Sequence, residues 1–336
     1  MEFDVSIIIP AFNVGDYIAA AMESVLRQVP AFRQIIVIDD GSTDGTGDVV
    51  RAFDDPRIVY RYQENQGLGP ARNAGIALAE GRFLYFMDAD DLLEEGMTRQ
   101  LREWLCPSRP VPDAVFFSAV DFDDRSGLTL PSSSYFKWPS EGLFASGRSA
   151  LLASVAKTSV PACVFLCVFR RELIEGDRHL RFMNMLHEDE IFTPSLLLNC
   201  AGSVRISNAV LYRRRVRPAS IMTSRASSRN VTGSLAVAAW WQWRAEASHE
   251  RESARAYRRQ AMRFYGMAIV YAARAGLRMA EVQTLVAASV PAQVRWVAVD
   301  RSIAGLSRKV AFAFVRARFR LGTFLQDRST AKPGAG

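Results

Sequence analysis

The first ninety residues alternate short apolar runs with amphipathic segments, and this order constrains the fold more than any other feature. The apolar runs are "VSIIIPAF", "QIIVID", "RIVYRYQ" and "RFLYFMD", and a segment with helical spacing follows each of the first three. Alternation of this kind is typical of a parallel sheet that is covered by helices on both faces. We therefore expect an α/β fold over the N-terminal part of the chain.

The four predicted strands end in polar, turn-forming residues: "PAFN", "DDGSTD", "QENQGLG" and "DADD". Ligands of open parallel sheets bind beyond the carboxyl ends of the strands, so we expect the functional residues along this edge. The most crowded of these segments holds Asp88, Asp90 and Asp91. Neighbouring carboxylates raise one another's pKa unless a cation, a hydrogen-bond donor or water lies among them.

The 336 residues exceed what a single minimal domain needs, and 49% of them are hydrophobic, which allows a sizeable core. Beyond Glu103 we expect strands at "DAVFFSAVDFDD", "PACVFLCVFRRELI" and "AVLYRRRVRPAS", and a helix at "LHEDEIFTPSLLLN". From about Ser227 the chain is rich in Ala, Arg and Trp with helical spacing. We place one α/β domain at residues 1–225, a helical C-terminal region at 226–328 and a disordered tail at 329–336.

Charge is divided unevenly along the chain. Residues 1–200 carry 18 basic and 29 acidic residues, whereas residues 201–336 carry 24 basic and 6 acidic ones. The basic half suits anionic lipid or phosphate-bearing substrates, and we expect no nucleic-acid partner because no stacking platform or groove-entering motif is recognisable. A stretch at 301–326 has helical spacing, six basic residues and no acid. It suits either an anionic membrane surface or packing on the protein's own helices.

The N-terminus, "MEFD", is acidic and differs from the basic start of a secretory signal. No apolar stretch reaches the roughly 18 residues that span a bilayer. We therefore expect a cytoplasmic protein, with peripheral association at the inner face of the cell membrane as an open alternative.

The ordered motifs "VSIIIPAFN", "VIDDGSTDGT", "NQGLGPARNAG", "FMDADD" and "HEDEIF" resemble those of the family 2 glycosyltransferases, over roughly residues 3–225. The resemblance implies the GT-A fold, a Rossmann-like, mostly parallel sheet with helices on both faces, here followed by a helical extension. It also implies inverting, non-processive transfer of a sugar from a nucleotide-diphospho-sugar to a glycan or lipid-linked acceptor in cell-surface polysaccharide synthesis. Such enzymes usually use Mn²⁺ or Mg²⁺.

The resemblance assigns roles to the acids. Asp90 is the expected metal ligand, and Asp88 a ribose contact or a water-mediated metal contact. If the strand stays extended to Asp90, Asp91 points away, and we expect it to cap a helix that starts at Leu92. Asp189 is the expected general base, which takes the proton of the acceptor hydroxyl.

Further residues are expected to bind the donor. Asp40 matches an aspartate that accepts a hydrogen bond from a pyrimidine ring, which favours a UDP-sugar. Arg72 lies near a helix start and is expected to pair with phosphate. The remaining candidates are Pro10, Ala11, Asn13, Asn73, Asp88, Ala89, Arg214, Arg217 and Ser220. A histidine that often serves the family as a further metal ligand near this last group is missing, so the third protein ligand stays open.

Two other functions remain open from the residues alone. The domain could bind a nucleotide-sugar as a scaffold without turnover, or it could be a nucleotidyltransferase that makes the sugar donor, since such an enzyme shares the strand-end carboxylates. The C-terminal helices could contact the acceptor, another subunit or a membrane.

Overall fold

The computed structural model describes residues 3–105, 111–131, 136–157, 160–175, 180–217 and 226–288. The described chain divides into two compact units. One holds the residues up to Asn184 and from Glu188 to Arg217, and the other holds Met185–His187 with the residues from 226 onward. Ser220, the basic stretch at 301–326 and the tail at 329–336 lie outside the described residues.

The first unit begins with the alternation that the sequence predicts. In chain order its elements are β1 (Val5–Ala11), α1 (Gly15–Leu26), β2 (Gln34–Asp39), α2 (Thr46–Arg51), β3 (Ile58–Tyr62), α3 (Leu68–Leu78) and β4 (Phe83–Phe86). Every residue of β1, β2 and β4 is buried. Burial on both faces explains why these strands read as continuous apolar runs and not as alternating ones.

The second part of this unit is less regular. It contains β5 (Leu92–Leu93), α4 (Met97–Trp104), β6 (Ala114–Asp123), β7 (Gly142–Phe144), α5 (Gly147–Lys157), β8 (Cys167–Arg170), α6 (Asp189–Asn199) and β9 (Val204–Val216). The run "PACVFLCVFRRELI" is one short strand between two 3₁₀ turns, and not the longer strand that we expect from its composition. The other predicted elements of this part are present.

Nine strands of the described chain form one sheet in the order β3-β2-β1-β4-β8-β6-β9-β5, with β7 paired to β9. The pairs of β1 with β2, β1 with β4, β2 with β3 and β6 with β9 are parallel, and the other pairs are antiparallel. Because β2, β1 and β4 are parallel neighbours, their carboxyl ends lie side by side. The loops after Ala11, Asp39 and Phe86 therefore share one edge of the sheet.

The second unit is helical, with α7 (Ser228–Glu246), α8 (Arg251–Arg274) and α9 (Met279–Ala288). A capping box formed by Ser227 and Asn230 begins α7. α7 and α8 pack along their lengths through buried residues that include Trp241, Tyr257 and Phe264. Within the described ranges, no helix is both long enough and apolar enough to cross a bilayer.

Candidate active site

The crowded acids lie in a turn, and not on an extended strand. β4 ends at Phe86, and the amide of Asp91 donates a hydrogen bond to the carbonyl of Asp88 at 3.2 Å. The premise of a strand that runs to Asp90 is therefore wrong. The turn places the three carboxyl groups in different surroundings, which accounts for how they can lie so close together.

Asp91 is a buried structural acid and does not cap a helix, which corrects the expectation from the sequence. Residues Leu92–Leu93 form β5, and α4 begins only at Met97. The Asp91 carboxylate is 2% exposed and accepts hydrogen bonds from the Tyr212 hydroxyl at 2.7 Å and the Arg215 amide at 2.6 Å. Burial, together with the charges of its neighbouring aspartates, raises the pKa of Asp91 well above its usual value.

Asp88 and Asp90 are partly exposed, and each is paired with one arginine. Arg72 donates to Oδ1 of Asp88 at 3.0 Å, and Nε of Arg217 donates to Oδ2 of Asp90 at 2.8 Å. The side chains are 32% and 22% exposed, respectively. Burial and the nearby Asp90 charge raise the pKa of Asp88, while Arg72 opposes the rise. Ala89 between them is buried, so only its main chain is available to a ligand.

The arginines of β9 divide between two faces. Arg214 pairs through its Nε with Asp121 of β6 at 2.7 Å, and its expected role in donor binding stays a prediction. Arg215, which the sequence analysis missed, instead donates from Nε to the carbonyl of Asp90 at 2.6 Å and pairs with Asp124 at 2.8 Å. Arg217, which directly follows β9, pairs with Asp90, and its expected role in donor binding stays a prediction. Register shifts between β6 and β9 precede these residues, and alternation along the strand cannot reveal them.

The loops after β1 and β2 are tied to each other. Asn13 accepts a hydrogen bond from the Thr43 amide at 2.9 Å, and its own amide donates to the Ser42 hydroxyl at 3.0 Å. Asn13 has a φ of 50°, a left-handed conformation that Asn tolerates better than most residues. Pro10 and Ala11 are buried within β1, so they can meet a ligand only through a limited surface. Phe12, which directly follows them, is 49% exposed.

The Asp40 carboxylate is buried and anchors the loop after β3. It accepts hydrogen bonds from Gln63 Nε2 at 2.7 Å, the Gln66 amide at 3.0 Å and the Gly67 amide at 2.8 Å. Asp39 beside it accepts from the Tyr60 hydroxyl at 2.7 Å. The expected pyrimidine contact of Asp40 stays a prediction, and in the structure this acid already holds the segment that leads into α3.

Arg72 and Asn73 contact protein groups, whereas the sequence predicts that Arg72 pairs with phosphate and that Asn73 binds the donor. The Arg72 guanidinium is 3% exposed and bridges Asp88 and Glu188. The Asn73 side chain donates to the carbonyl of Phe182 at 2.8 Å and accepts from the Phe182 amide at 2.9 Å. Both residues therefore connect the second turn of α3 with the chain that precedes α6.

Asp189 is the first residue of α6 and is half-buried. Burial, followed by the charges of Glu188 and Glu190, raises its pKa well above the usual value, and Arg72 opposes this rise. A carboxylate of raised pKa is a stronger proton acceptor once it is ionised. Through Glu188 and Arg72, Asp189 belongs to the same charged cluster as Asp88.

Asp88 and Asp90 suit a divalent cation whose other coordination positions are filled by oxygen atoms of a bound ligand and by water. No group of three or more His, Cys, Asp or Glu side chains in the described part of the chain is arranged to hold a metal. Asp88 and Asp90 nevertheless offer one carboxylate oxygen each beyond those that the arginines occupy. Mg²⁺ commonly takes only one or two protein carboxylates, with phosphate oxygens and water in the other positions.

Several residues of this site were not found from the sequence: Tyr212, Arg215, Gln63, Gln66 and Phe12. Phe12 had a detectable signal, because it is an aromatic residue placed just after a buried strand. The others act through partners far along the chain, and the sequence holds no local sign of those contacts.

The model of the family described as "Glycosyl transferase family 2" matches residues 6–176 of the chain. The succinoglycan biosynthesis protein ExoO of Rhizobium meliloti is 30% identical over 65% of this chain and 62% of its own length. The uncharacterized glycosyltransferase YibD of Escherichia coli is 28% identical over 64% of this chain and 62% of its own length. The chain thus spans less than two thirds of these relatives.

Solved structures with a similar fold include TarS residues 1–349 of S. aureus in complex with UDP-GlcNAc. It has a TM-score of 0.68 and 19% identity, and the match covers 96% of this chain and 92% of that one. A mannosyltransferase of Pyrobaculum calidifontis in complex with GDP-Man and Mn²⁺ has a TM-score of 0.53 and 18% identity, over 94% of this chain and 87% of that one. At these identities the likeness concerns the fold.

Proposed function

The chain belongs to glycosyl transferase family 2 and has the GT-A fold, and from this premise we propose that it transfers a sugar from a nucleotide-diphospho-sugar to an acceptor hydroxyl with inversion. The observation that carries the proposal is the charged cluster of Asp88, Arg72 and Glu188. It joins the acidic turn after β4 to the start of α6, where Asp189 lies. Donor-side acids and a proton acceptor are the two groups that such a transfer requires.

The proposed donor is a UDP-sugar that lies along the loops after β1, β2 and β4. Its nucleotide end would meet Phe12, whose exposed ring offers a face for stacking, and the segment that Asp40 anchors. The solved TarS complex with UDP-GlcNAc supports this choice for a chain of the same fold. The sugar itself is not specified by the contacts described.

The proposed metal is Mn²⁺ or Mg²⁺, held by Asp90 and Asp88. When bound, such an ion neutralises the negative charge that develops on the departing diphosphate. Arg217 contacts Asp90 and is therefore placed to contribute positive charge on the same side. Arg215 holds the Asp90 main chain in place from β9.

The proposed general base is Asp189. In its ionised form it takes the proton of the acceptor hydroxyl as the new glycosidic bond forms, opposite the leaving group. Half-burial increases its basicity, and the positive charge of Arg72 keeps the ionised form accessible. Inversion follows from a single displacement of this kind.

The proposed acceptor is a glycan or a lipid-linked saccharide in cell-surface polysaccharide synthesis, which the name of the relative ExoO supports. One face of α8 is suited to an anionic membrane surface that would present such an acceptor. The exposed residues of this face, which we call the α8 basic face, include Arg251, Arg255, Arg258, Arg259 and Arg274. Met262 and Val270 between them are 63% and 43% exposed, and the opposite face packs on α7.

The proposal is tested by incubating the purified full chain with single nucleotide-sugars and Mn²⁺, first for thermal stabilisation and then for transfer to lipid-linked and polysaccharide acceptors. We expect stabilisation by UDP and by one UDP-sugar, and a product of inverted anomeric configuration by NMR. Release of pyrophosphate from a nucleoside triphosphate would instead indicate a nucleotidyltransferase. Binding without turnover of any donor would leave only the scaffold function.

A further inference from the structure

The Arg72 side chain bridges two acids, Asp88 and Glu188, and thereby fixes the distance between them. It is 3% exposed, and its two terminal nitrogens bind different carboxylates, Asp88 in the turn after β4 and Glu188 before α6. The guanidinium carbon also lies 5.2 Å from the centre of the Phe182 ring. Fixed fork geometry lets one arginine bridge two acids in a way that a lysine ammonium cannot reproduce.

This arrangement does not suit a phosphate ligand. A phosphate that bound the terminal nitrogens of Arg72 would have to displace the buried Glu188 or the partly exposed Asp88, and would leave that carboxylate without its counter-charge. Loss of one partner from a buried ion pair is strongly unfavourable. Both terminal nitrogens of Arg72 therefore already hold a carboxylate, and its Nε is buried without a hydrogen-bond partner among the described residues.

Asn73 adds a second connection to the same segment. Its side-chain amide pairs with both the N–H and the carbonyl of Phe182. The Phe182 ring in turn stacks on Phe192 of α6, with ring centres 3.8 Å apart, and meets Phe86 of β4 edge-on at 5.1 Å. Gly69, one helical turn before, leaves room for the carbonyl of Met183, because a Cβ at this position would collide with it. Hydrogen bonds from Asn73 and the close contact at Gly69 thus attach α3 to the segment that leads to Asp189.

We propose that Arg72 and Asn73 are positioning residues that set the location of Asp189 relative to Asp88. Arg72 acts through charge on Glu188, the neighbour of Asp189, and Asn73 acts through the main chain of Phe182. The acids that hold the donor and the group that deprotonates the acceptor are thereby fixed to one helix, α3. The catalytic role in this inference rests on the proposed function. The contacts of Arg72 with Glu188 and of Asn73 with Phe182 do not depend on turnover.

The experiment compares Arg72→Lys and Asn73→Ala with the wild type, using UDP with Mn²⁺ as the binding probe. We expect UDP dissociation constants within about threefold of wild type, and kcat lower by about 100-fold for Arg72→Lys and about 10-fold for Asn73→Ala, as expected for small displacements of a catalytic group. Arg99→Lys, an exposed arginine of α4, is the matched control and leaves both quantities unchanged.

A double variant distinguishes a loss of turnover from a failure to fold. Arg72→Met leaves the buried Glu188 and the partly exposed Asp88 without their arginine, so it can fail to fold, whereas Arg72→Met with Glu188→Gln also removes the charge of the buried acid. We expect the double variant to recover thermal stability relative to Arg72→Met but not turnover. In Arg72→Met with Glu188 retained, the acidic limb of the kcat/KM profile moves to higher pH, because the arginine charge that lowers the pKa of Asp189 is lost. The double variant also loses the Glu188 charge that raises this pKa, so it shows no such upward shift. Asn73→Ala leaves that limb in place.

Hydrogen exchange supplies a readout that needs no activity. The Phe182 amide donates a hydrogen bond to Asn73, so we expect Asn73→Ala to lower the exchange protection factor of that amide by at least about tenfold. A tenfold rise in the UDP dissociation constant of Arg72→Lys with kcat retained would make Arg72 a donor ligand and overturn the inference. So would unchanged protection of Phe182 in Asn73→Ala. If the wild type turns over no donor, the proposed function fails. Hydrogen exchange of the Phe182 amide and the thermal stability of the Arg72 variants then still decide whether α3 holds the segment before Asp189.

Discussion

The Tyr212 hydroxyl donates a hydrogen bond to Oδ2 of Asp91 at 2.7 Å, across a separation of 121 residues. The Tyr212 hydroxyl oxygen also accepts a hydrogen bond from the Asp88 amide at 3.2 Å. One buried phenol of β9 thus fixes the turn that carries the acids of the candidate site. The acidic turn depends on β9 for its shape, and Arg215 of β9 and Arg217, which directly follows the strand, also donate hydrogen bonds to it.

Tyr212→Phe should lower the free energy of unfolding by about 1–3 kcal/mol, because the buried Asp91 carboxylate and Asp88 amide each lose a partner. Denaturant unfolding measures the change. Tyr85→Phe is the matched control, since the Tyr85 hydroxyl is equally buried and has no hydrogen-bond partner among the described residues. Equal losses in the two variants would contradict a specific role for the Tyr212 hydroxyl.

Asp90→Asn should weaken the Mn²⁺-dependent binding of UDP by at least about tenfold, because a neutral amide is a poorer ligand for a hard cation than a carboxylate. Calorimetry with and without Mn²⁺ measures the effect. Asp48→Asn, a change at an exposed carboxylate of α2, should have no effect. Equal UDP affinity of Asp90→Asn and wild type at saturating metal would refute the assignment.

Asp189→Asn should reduce kcat by about a thousandfold or more while UDP still binds, because proton transfer is lost and the donor loops are intact. In the wild type, the raised pKa of Asp189 means that the ionised base forms only above the usual range of aspartate. We expect log kcat/KM to rise with unit slope through that pKa and then to level off. Asp16→Asn, at an exposed position of α1, should keep wild-type rates. Retained turnover in Asp189→Asn would assign the base to another residue.

The ion pair of Asp55 and Arg57 should make stability depend on pH. Hydrogen bonding to Arg57 at 2.6 Å lowers the pKa of Asp55 below its value in the unfolded chain. The stabilisation is therefore present above the unfolded-state pKa of about 4 and is lost as the pH falls through the folded-state pKa. Asp55→Asn should cost about 1 kcal/mol at pH 7, and the difference from wild type should vanish in strong acid. A difference that is independent of pH would exclude this linkage.

Charge reversal on the α8 basic face should release the protein from anionic vesicles. Arg255→Glu, Arg258→Glu and Arg259→Glu together should weaken binding to phosphatidylglycerol-containing vesicles by more than about tenfold, since each basic residue near such a surface contributes about 1 kcal/mol. Co-sedimentation at low salt measures the effect. A triple reversal in the first unit at exposed arginines, Arg27, Arg99 and Arg102, is the control for net charge. Similar losses in both triple variants would indicate non-specific attraction.

Local periodicity was sufficient for the elements that pair with sequence neighbours. β1 to β4 and the helices between them are where the apolar runs predict them. β1, β2 and β4 are buried along their whole length, and β3, which is partly exposed, still follows its apolar run. The prediction failed at Asp91, which reads as a helix cap but lies before a two-residue strand that pairs with β9. Its real partners come from a strand more than a hundred residues away.

The arginines of β9 show the same division. The spacing of "YRRRVR" indicates that alternate side chains face the same way, and the structure keeps this alternation, with Arg214 at Asp121 and Arg215 at the acidic turn. Which face meets the acids depends on the pairing of β9 with β6 and β5, and the spacing alone does not specify it. Arg72 is similar, since its position near a helix start suggests phosphate, and its burial between two acids appears only when Glu188, 116 residues later, is folded against it.

The sequence by itself determined the α/β class, the edge of the sheet that carries the polar residues and the acids that are candidates for chemistry, because these follow from periodicity and from the position of residues at strand ends. The tertiary structure decided which acid is buried, which arginine pairs with each acid and which residues bind the segment before Asp189. Those outcomes depend on contacts between distant parts of the chain. Desolvation and ion pairing are set by the completed packing, and no local stretch of sequence contains them.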